Sequence, residues 1–213
     1  MTAPLIDKTF DGMLRQMRRD ITDLQRRLGG AEVGVTPIFP DPTRLFGATV
    51  DENGTITLND TVGAFCLIPG VFTEEYLAYR VLFHIGGSAS PTNTAIFRWM
   101  VGNFEDTTAA AYSSTKSYIT TSNTVVPSYT ANSFGYLSAA TSAGPATGVA
   151  EIINPYSATD QSVLTFDSAQ NLLSNTGSTT FVTAKRHDGF AVQRGPVPGP
   201  KTTQGWLKIF GYR

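Results

Sequence analysis

The spacing of apolar residues changes once along this 213-residue chain, at Gly29-Gly30. Before that point apolar residues recur every three or four positions, which is the period of one helix face. Beyond Leu45 they fall into short alternating segments separated by Gly, Pro, Asn and Ser, which is typical of strands and turns. The sequence therefore predicts one N-terminal helix followed by a mostly β body. The apolar positions of the helix are Ile6, Phe10, Met13, Met17, Ile21, Leu24 and Leu28.

The helix of residues 1–30 has a narrow apolar face, and an isolated helix of this length is only marginally stable in water. It therefore needs a partner surface, which is either its own domain or other copies of the same helix. The Pro-containing segment 31–42, AEVGVTPIFPDP, favours an extended linker over a tight return. We predict that the seven apolar residues form a coiled-coil-like stalk in a homotrimer, although their pattern specifies the oligomer number only weakly.

The body, residues 43–213, contains many short strand patterns and no second helix pattern, which predicts a jelly-roll-like β-sandwich head. Within Glu75 to Ile85 every second residue is apolar, so one face of that strand should meet the core. Asn53-Gly54 predicts a type I′ hairpin turn. Residues 107–147 are predicted to form either weak edge strands or a functional excursion. Residues 189–205 are predicted to form a long loop.

Composition excludes several classes of function. A net charge of -1 with 15% charged residues argues against a nucleic-acid binder. We expect no membrane insertion, because no apolar run approaches the roughly 18 residues that span a bilayer. A single cysteine and two histidines leave little basis for a disulfide framework or a metal site, so no cofactor is expected.

Residues capable of catalysis are present, but their pattern does not predict an enzyme. Cys66, within VGAFCLIPG, is interpreted as a small buried side chain rather than as a nucleophile. The dipeptide His187-Asp188 is weak evidence for a catalytic triad, which requires proximity in space. The carboxylate neighbours Asp51-Glu52, Glu74-Glu75 and Glu105-Asp106 are interpreted as solvated turns and strand ends, since adjacent strand residues point to opposite faces.

Two further sets of residues leave alternatives open. The C-terminal region is basic and could contact phosphate or anionic glycan, but pairing with the acidic middle of the same or a neighbouring chain is favoured. Its basic residues are Lys185, Arg186, Arg194, Lys201, Lys208 and Arg213. Aromatic residues within 107–147 could stack on sugars or form a local core. They are Tyr112, Tyr118, Tyr129, Phe134 and Tyr136.

The order of parts carries a family resemblance. A short N-terminal helix and a Gly/Pro linker precede an all-β body that contains EIINPYSATDQSVLTFDSA and ends in the strand WLKIFGYR. This order resembles that of the small trimeric minor tail or fibre proteins of tailed bacteriophages, especially those that infect actinobacteria. The resemblance implies a virion location, other virion proteins as partners and a host cell-surface glycan as a possible receptor, with no catalytic residues carried over. The alternatives are a capsid decoration or head-fibre protein and, less favoured, a polysaccharide-degrading spike.

Overall fold

The computed structural model describes nine segments of the chain, and the side chains of 118–119, 125–132 and 173 are outside this description. Those segments are 34–60, 65–86, 95–108, 111–119, 125–132, 134–138, 144–170, 173–194 and 202–213. Residues from Thr36 to Arg213 form one compact unit. The predicted helix and its seven apolar residues lie outside the described segments, so the stalk stays a prediction.

The larger of two β-sheets has ten strands, and its order is β2-β3-β15-β5-β11-β12-β13-β8-β9, with β1 also pairing β15. The paired strands along this path run antiparallel. Its strands are β1 (Val35–Ile38), β2 (Ala48–Val50), β3 (Ile56–Asp60), β5 (Ala78–Gly86), β8 (Tyr112–Ile119), β9 (Val125–Asn132), β11 (Ala146–Ile153), β12 (Val163–Gln170), β13 (Leu173–Phe181) and β15 (Thr203–Tyr212).

The smaller sheet has five strands in the order β10-β6-β14-β4, with β7 pairing β6. These pairs are also antiparallel. Its strands are β4 (Cys66–Ile68), β6 (Ala95–Val101), β7 (Phe104–Glu105), β10 (Gly135–Tyr136) and β14 (Gly189–Arg194). The prediction of a mostly β body is therefore confirmed.

The two sheets share one core. Phe97 and Trp99 of β6 meet Tyr112 of β8, where the backbone N–H of Trp99 donates a hydrogen bond to the Tyr112 hydroxyl at 2.9 Å. Further along, the amide of Tyr136 on β10 donates to the Thr179 hydroxyl on β13. The alternation predicted for β5 is observed, because Tyr79, Val81, Phe83 and Ile85 are all buried. Burial of such aromatic and branched side chains is the main stabilising contribution to a sandwiched core.

Two local predictions are wrong. The β2–β3 hairpin is present, but Asn53 has no positive φ, and only Gly54 (φ 72°) adopts the left-handed conformation. The reason is the Asp51 carboxylate, which accepts hydrogen bonds from the amides of Asn53 and Thr55 and builds a longer loop than a type I′ turn. Residues 189–205 are not one loop, since β14 is a buried strand of the smaller sheet.

The segment 107–147 contains strands β8 and β9, and β9 lies at the edge of the larger sheet. The segment therefore contains strands, as the first alternative predicts, but of β8 and β9 only β9 lies at an edge of the sheet. Strand β1 falls within the segment 31–42, which is predicted to be a linker, and it pairs with the C-terminal strand β15.

Candidate functional site

Three side chains of the kinds found in acyl-transfer enzymes meet in the core. His187 follows β13, Ser162 precedes β12 and Asp106 follows β7. The Ser162 hydroxyl lies 3.0 Å from Nδ1 of His187, and the Asp106 carboxylate lies 3.9 Å from Nε2. The Asp106 carboxylate instead accepts hydrogen bonds from Lys185 Nζ at 2.5 Å and from the Thr108 hydroxyl at 2.6 Å.

The surroundings of His187 keep its imidazole neutral. Trp99 stacks on the ring at 5.3 Å and Phe181 meets it edge-on at 4.7 Å. Burial lowers the pKa of His187 to about 4, although the nearby Asp106 charge acts in the opposite direction. Burial also opposes ionisation of Asp106, but the hydrogen bonds from Lys185 and Thr108 outweigh it, and the pKa of Asp106 lies below its usual value.

This grouping cannot act as a serine nucleophile site in the conformation observed. Ser162 and His187 both have 0% of their surface exposed, so no substrate carbonyl can reach the hydroxyl. The Asp106 carboxylate is also too far from the imidazole for a hydrogen bond. The neighbouring Asp188 points elsewhere, because it accepts a hydrogen bond from the amide of Gly102 at 2.9 Å. The three residues therefore link loops to the core rather than form a reaction centre.

The other catalytic candidates lie apart from this group and from one another. Cys66 is fully buried, as predicted, and burial raises the pKa of its thiol to about 12. Asp51 accepts hydrogen bonds within its own loop. Glu105 pairs with Arg98 at 2.6 Å. The interpretation of Glu105-Asp106 as a solvated strand end is wrong for Asp106, which is buried against Lys185.

The C-terminal basic residues do not form a patch in the described part of the chain. Lys185 pairs with Asp106, Arg213 pairs with Glu75, and the Arg186 guanidinium lies over the Tyr156 ring. Arg194 is buried and donates hydrogen bonds to the carbonyl oxygens of Ile85 and Gly144. Lys201 lies outside the described residues. These pairs within the chain agree with the preference for pairing with the acidic middle over anion binding.

The aromatic residues of 107–147 contribute to the core where their side chains are described. Tyr112 is fully buried and Tyr136 nearly so, and Phe134 packs edge-on against Tyr136 at 5.5 Å. The side chains of Tyr118 and Tyr129 are not described. The local-core alternative therefore holds for the described members, and none of them forms an exposed sugar-stacking rim.

The outer face of the larger sheet, opposite the shared core, combines apolar and charged side chains on four neighbouring strands. Rows of side chains run across β15, β5, β11 and β12, as the strand register shows. One row is Lys208, Leu82, Val149 and Asp167, and the next is Phe210, Arg80, Glu151 and Thr165. We name the six apolar or aromatic members of this region the outer patch: Leu82, Val149, Ile153, Val163, Phe210 and Tyr212.

An exposed tryptophan borders the outer patch. Trp206 on β15 is 39% exposed, and its ring stacks nearly parallel to that of His84 at 6.3 Å. Nδ1 of His84 lies 2.7 Å from the Thr147 hydroxyl, which fixes the orientation of the imidazole. The other tryptophan, Trp99, is completely buried. Of the two tryptophans, Trp206 is therefore the one that can be used to monitor the exposure of this surface.

An ion pair lies within the outer patch. Arg80 Nε donates to the Glu151 carboxylate at 2.5 Å, and the Arg80 guanidinium also lies 5.6 Å from the centre of the Tyr212 ring. Burial raises the pKa of Glu151, while the charge of Arg80 opposes that shift. Burial likewise raises the pKa of Tyr212 to about 12. Both charges of the pair are thus already compensated within one chain.

Beyond β12, the outer face of the larger sheet becomes more polar. On β13 and β8 the outward positions carry hydroxyl side chains, and the Thr115 hydroxyl lies 2.8 Å from that of Ser178. The apolar side chains are therefore concentrated on one half of the sheet. The alternation along β5 predicted which residues face outward, but sequence reasoning did not single out Trp206 or Ile153. Only the strand order places them beside Leu82 and Val149.

The described residues include no group of three His, Cys, Asp or Glu side chains arranged to hold a metal ion. Within the described segments there is no helix that is long and apolar enough to cross a membrane.

Comparison with known proteins identifies no family for this chain. No family model matches it, and no curated protein matches it. Among solved structures, the SPRY domain of human HERC1 is similar to 74% of this chain and 99% of its own, at 10% identity and a TM-score of 0.29.

Proposed function

We propose that this chain is a structural protein of a tailed bacteriophage particle, a trimeric minor tail or fibre protein that adheres to the host surface. The observation that carries the proposal is the outer patch, in which apolar side chains from four strands lie side by side on the outer face of the larger sheet. Exposed apolar patches of this kind mark contacts with other molecules. The sequence resemblance supplies the phage assignment, and the burial of Ser162 and His187 is consistent with a role that is not catalytic.

We further propose that the head is a jelly-roll-like β-sandwich joined to the stalk of residues 1–30. Two facing antiparallel sheets that share one core support this fold. The proposed location is the virion, assembled in the host cytoplasm and exposed outside the cell.

In this account, adhesion results from multivalency. A stalk that holds three heads in parallel makes the second and third contacts intramolecular, which raises overall avidity by about 10²–10⁴ without stronger individual contacts. Weak recognition by each head would then suffice. This explains how heads that each bind weakly could still attach firmly to a cell envelope.

The substitution Met17→Asp tests this mechanism. It places a charge in the apolar face of the stalk, so we expect the trimer to dissociate and binding of labelled protein to actinobacterial host cells to fall by about 100-fold. Native mass and cell-binding isotherms measure the two effects. The matched control is Gln16→Asp, which adds the same charge on the polar face of the predicted helix and should retain both mass and binding.

Three outcomes would contradict the proposal. Equal cell binding by the Met17→Asp monomer and the unaltered protein would exclude avidity as the mechanism. Release of reducing ends from host-envelope glycan would instead favour the polysaccharide-degrading spike. Binding to purified capsids but not to cells would favour the capsid decoration alternative.

A further inference from the structure

We infer that the outer patch is the surface through which the heads of two neighbouring copies of this chain contact each other. The inference rests on the proposed trimer and names the part of the head that it brings together. It concerns the half of the sheet formed by β15, β5, β11 and β12.

The distribution of apolar and polar side chains is the first argument. Leu82 and Val149 lie on the two inner strands of the outer patch, beside the Arg80–Glu151 pair, and Ile153 at the edge of the patch is 44% exposed. Hydroxyl-bearing strands β13 and β8 border it on one side. A surface that combines apolar side chains with paired charges and polar neighbours has the mixed composition of a non-obligate protein–protein interface.

The distribution of charge is the second argument, and it selects a second copy as the occupant. Lys208 and Arg80 lie on β15 and β5, whereas Glu151 and Asp167 lie on β11 and β12. Apart from the paired Arg80 and Glu151, one basic side chain therefore lies on the β15 side of this face and one acidic side chain on the β12 side. A copy rotated about a symmetry axis would bring its acidic side to the basic side of its neighbour.

The central ion pair is compatible with burial in such a contact. Arg80 and Glu151 already neutralise each other within one chain, and only 22% and 34% of their side-chain surfaces remain exposed. Lys208 and Asp167 stand at the two ends of the row that contains Leu82 and Val149. In the contact we infer, Lys208 of one copy faces Asp167 of the next. Within its own chain, the charge of Lys208 also acts on the carboxylate of Asp51.

A charge swap in the full chain tests the inference. Lys208→Glu and Asp167→Lys each place like charges across the contact, so each should weaken head-to-head association at least about tenfold. The double variant restores opposite charges and should restore association. The readout is quenching of Trp206 by acrylamide over a dilution series, because the buried Trp99 contributes little to quenching. The control Ser113→Lys, on the hydroxyl-bearing strand β8, should leave quenching unchanged.

The outcomes separate this inference from the proposed function. Trimers in which Trp206 is fully quenchable in every variant would overturn the inference and leave the stalk-based trimer intact. A chain that is monomeric at all concentrations would overturn both. If the single variants lose cell binding but keep their association, the outer patch contacts the host glycan and the inference is wrong. Circular dichroism of each variant confirms that the β body is folded.

Discussion

The two histidines of this chain occupy opposite environments. His187 is enclosed by Trp99 and Phe181 in the core, whereas His84 lies on the outer face and stacks on the exposed Trp206. Desolvation disfavours the charged form of a buried imidazole, so His187 is neutral at pH 7. The same residue type thus contributes to core packing at one position and to a surface at the other.

The buried histidine predicts how stability depends on pH. On folding, the pKa of His187 falls from 6.5 to about 4, so between these values the unfolded chain binds more protons than the folded chain. The contribution of His187 is complete above about pH 6.5 and is lost as the pH falls toward 4, by at most about 3 kcal/mol. Urea unfolding at a series of pH values measures this loss.

A pair of variants isolates the effect. His187→Gln should flatten the pH dependence between 6.5 and 4, and His84→Gln should retain it. The Asp106 contribution is lost only as the pH falls through a pKa below 3.8, so its window lies below that of His187. If the His187→Gln protein showed the same slope as the unaltered protein, protonation of this residue would not limit stability.

Residue environments were only partly predictable from the sequence. Burial of Cys66 follows from its apolar neighbours in VGAFCLIPG, and the structure agrees. Burial of Asp106 does not, because its partner Lys185 is 79 residues away in the sequence. From the sequence alone the Asp106 carboxylate is expected to be solvated, because only the folded chain brings Lys185 next to it. Contacts between distant segments therefore account for what the sequence could not predict at this scale.

At the scale of elements, the pairing of β15 with β5 depends on a close backbone approach. Gly205 has φ 137°, a conformation that side-chain-bearing residues rarely adopt, and a Cβ there would overlap the carbonyl oxygen of His84. Gly205→Ala should therefore reduce the free energy of unfolding by at least about 3 kcal/mol, because backbone atoms cannot move aside. Denaturant titration measures this loss.

Gly102 provides the matched control for that substitution. It has φ 64°, but a Cβ there would meet no atom within 4 Å. Gly102→Ala should cost only about 1 kcal/mol, the strain of the left-handed conformation alone. Equal losses in the two variants would show that the approach of β15 to β5 is not the cause of the larger effect.

Elements were predicted well where the pattern was periodic and poorly where Gly and Pro dominated. The alternation in β5 identified its core face correctly. The sequence of strand β14 does not predict a strand, because GFAVQR is short and is followed by the Pro- and Gly-rich run GPVPGP. The strand is also buried on both faces, so it shows no alternation. The dipeptide Asn53-Gly54 predicts a type I′ turn, but hydrogen bonds to the Asp51 side chain determine the loop.

At the scale of the whole molecule, the arrangement of the two sheets accounts for the outer patch. Their shared core buries the inner faces, and strand order then places apolar residues from β15, β5, β11 and β12 side by side on the outside. These strands are far apart in the sequence, so the outer patch was not predictable from it. The candidate oligomerisation residues, by contrast, follow from helical spacing within one short segment.

The central claim, that this chain acts as an oligomer joined through its N-terminal segment, is tested most directly by native mass over a range of concentrations. The full chain should have about three times the chain mass of 22.9 kDa. A chain that lacks residues 1–30 should be monomeric when dilute and should associate only when concentrated, through the outer patch. A full chain that is monomeric at every concentration would contradict the account.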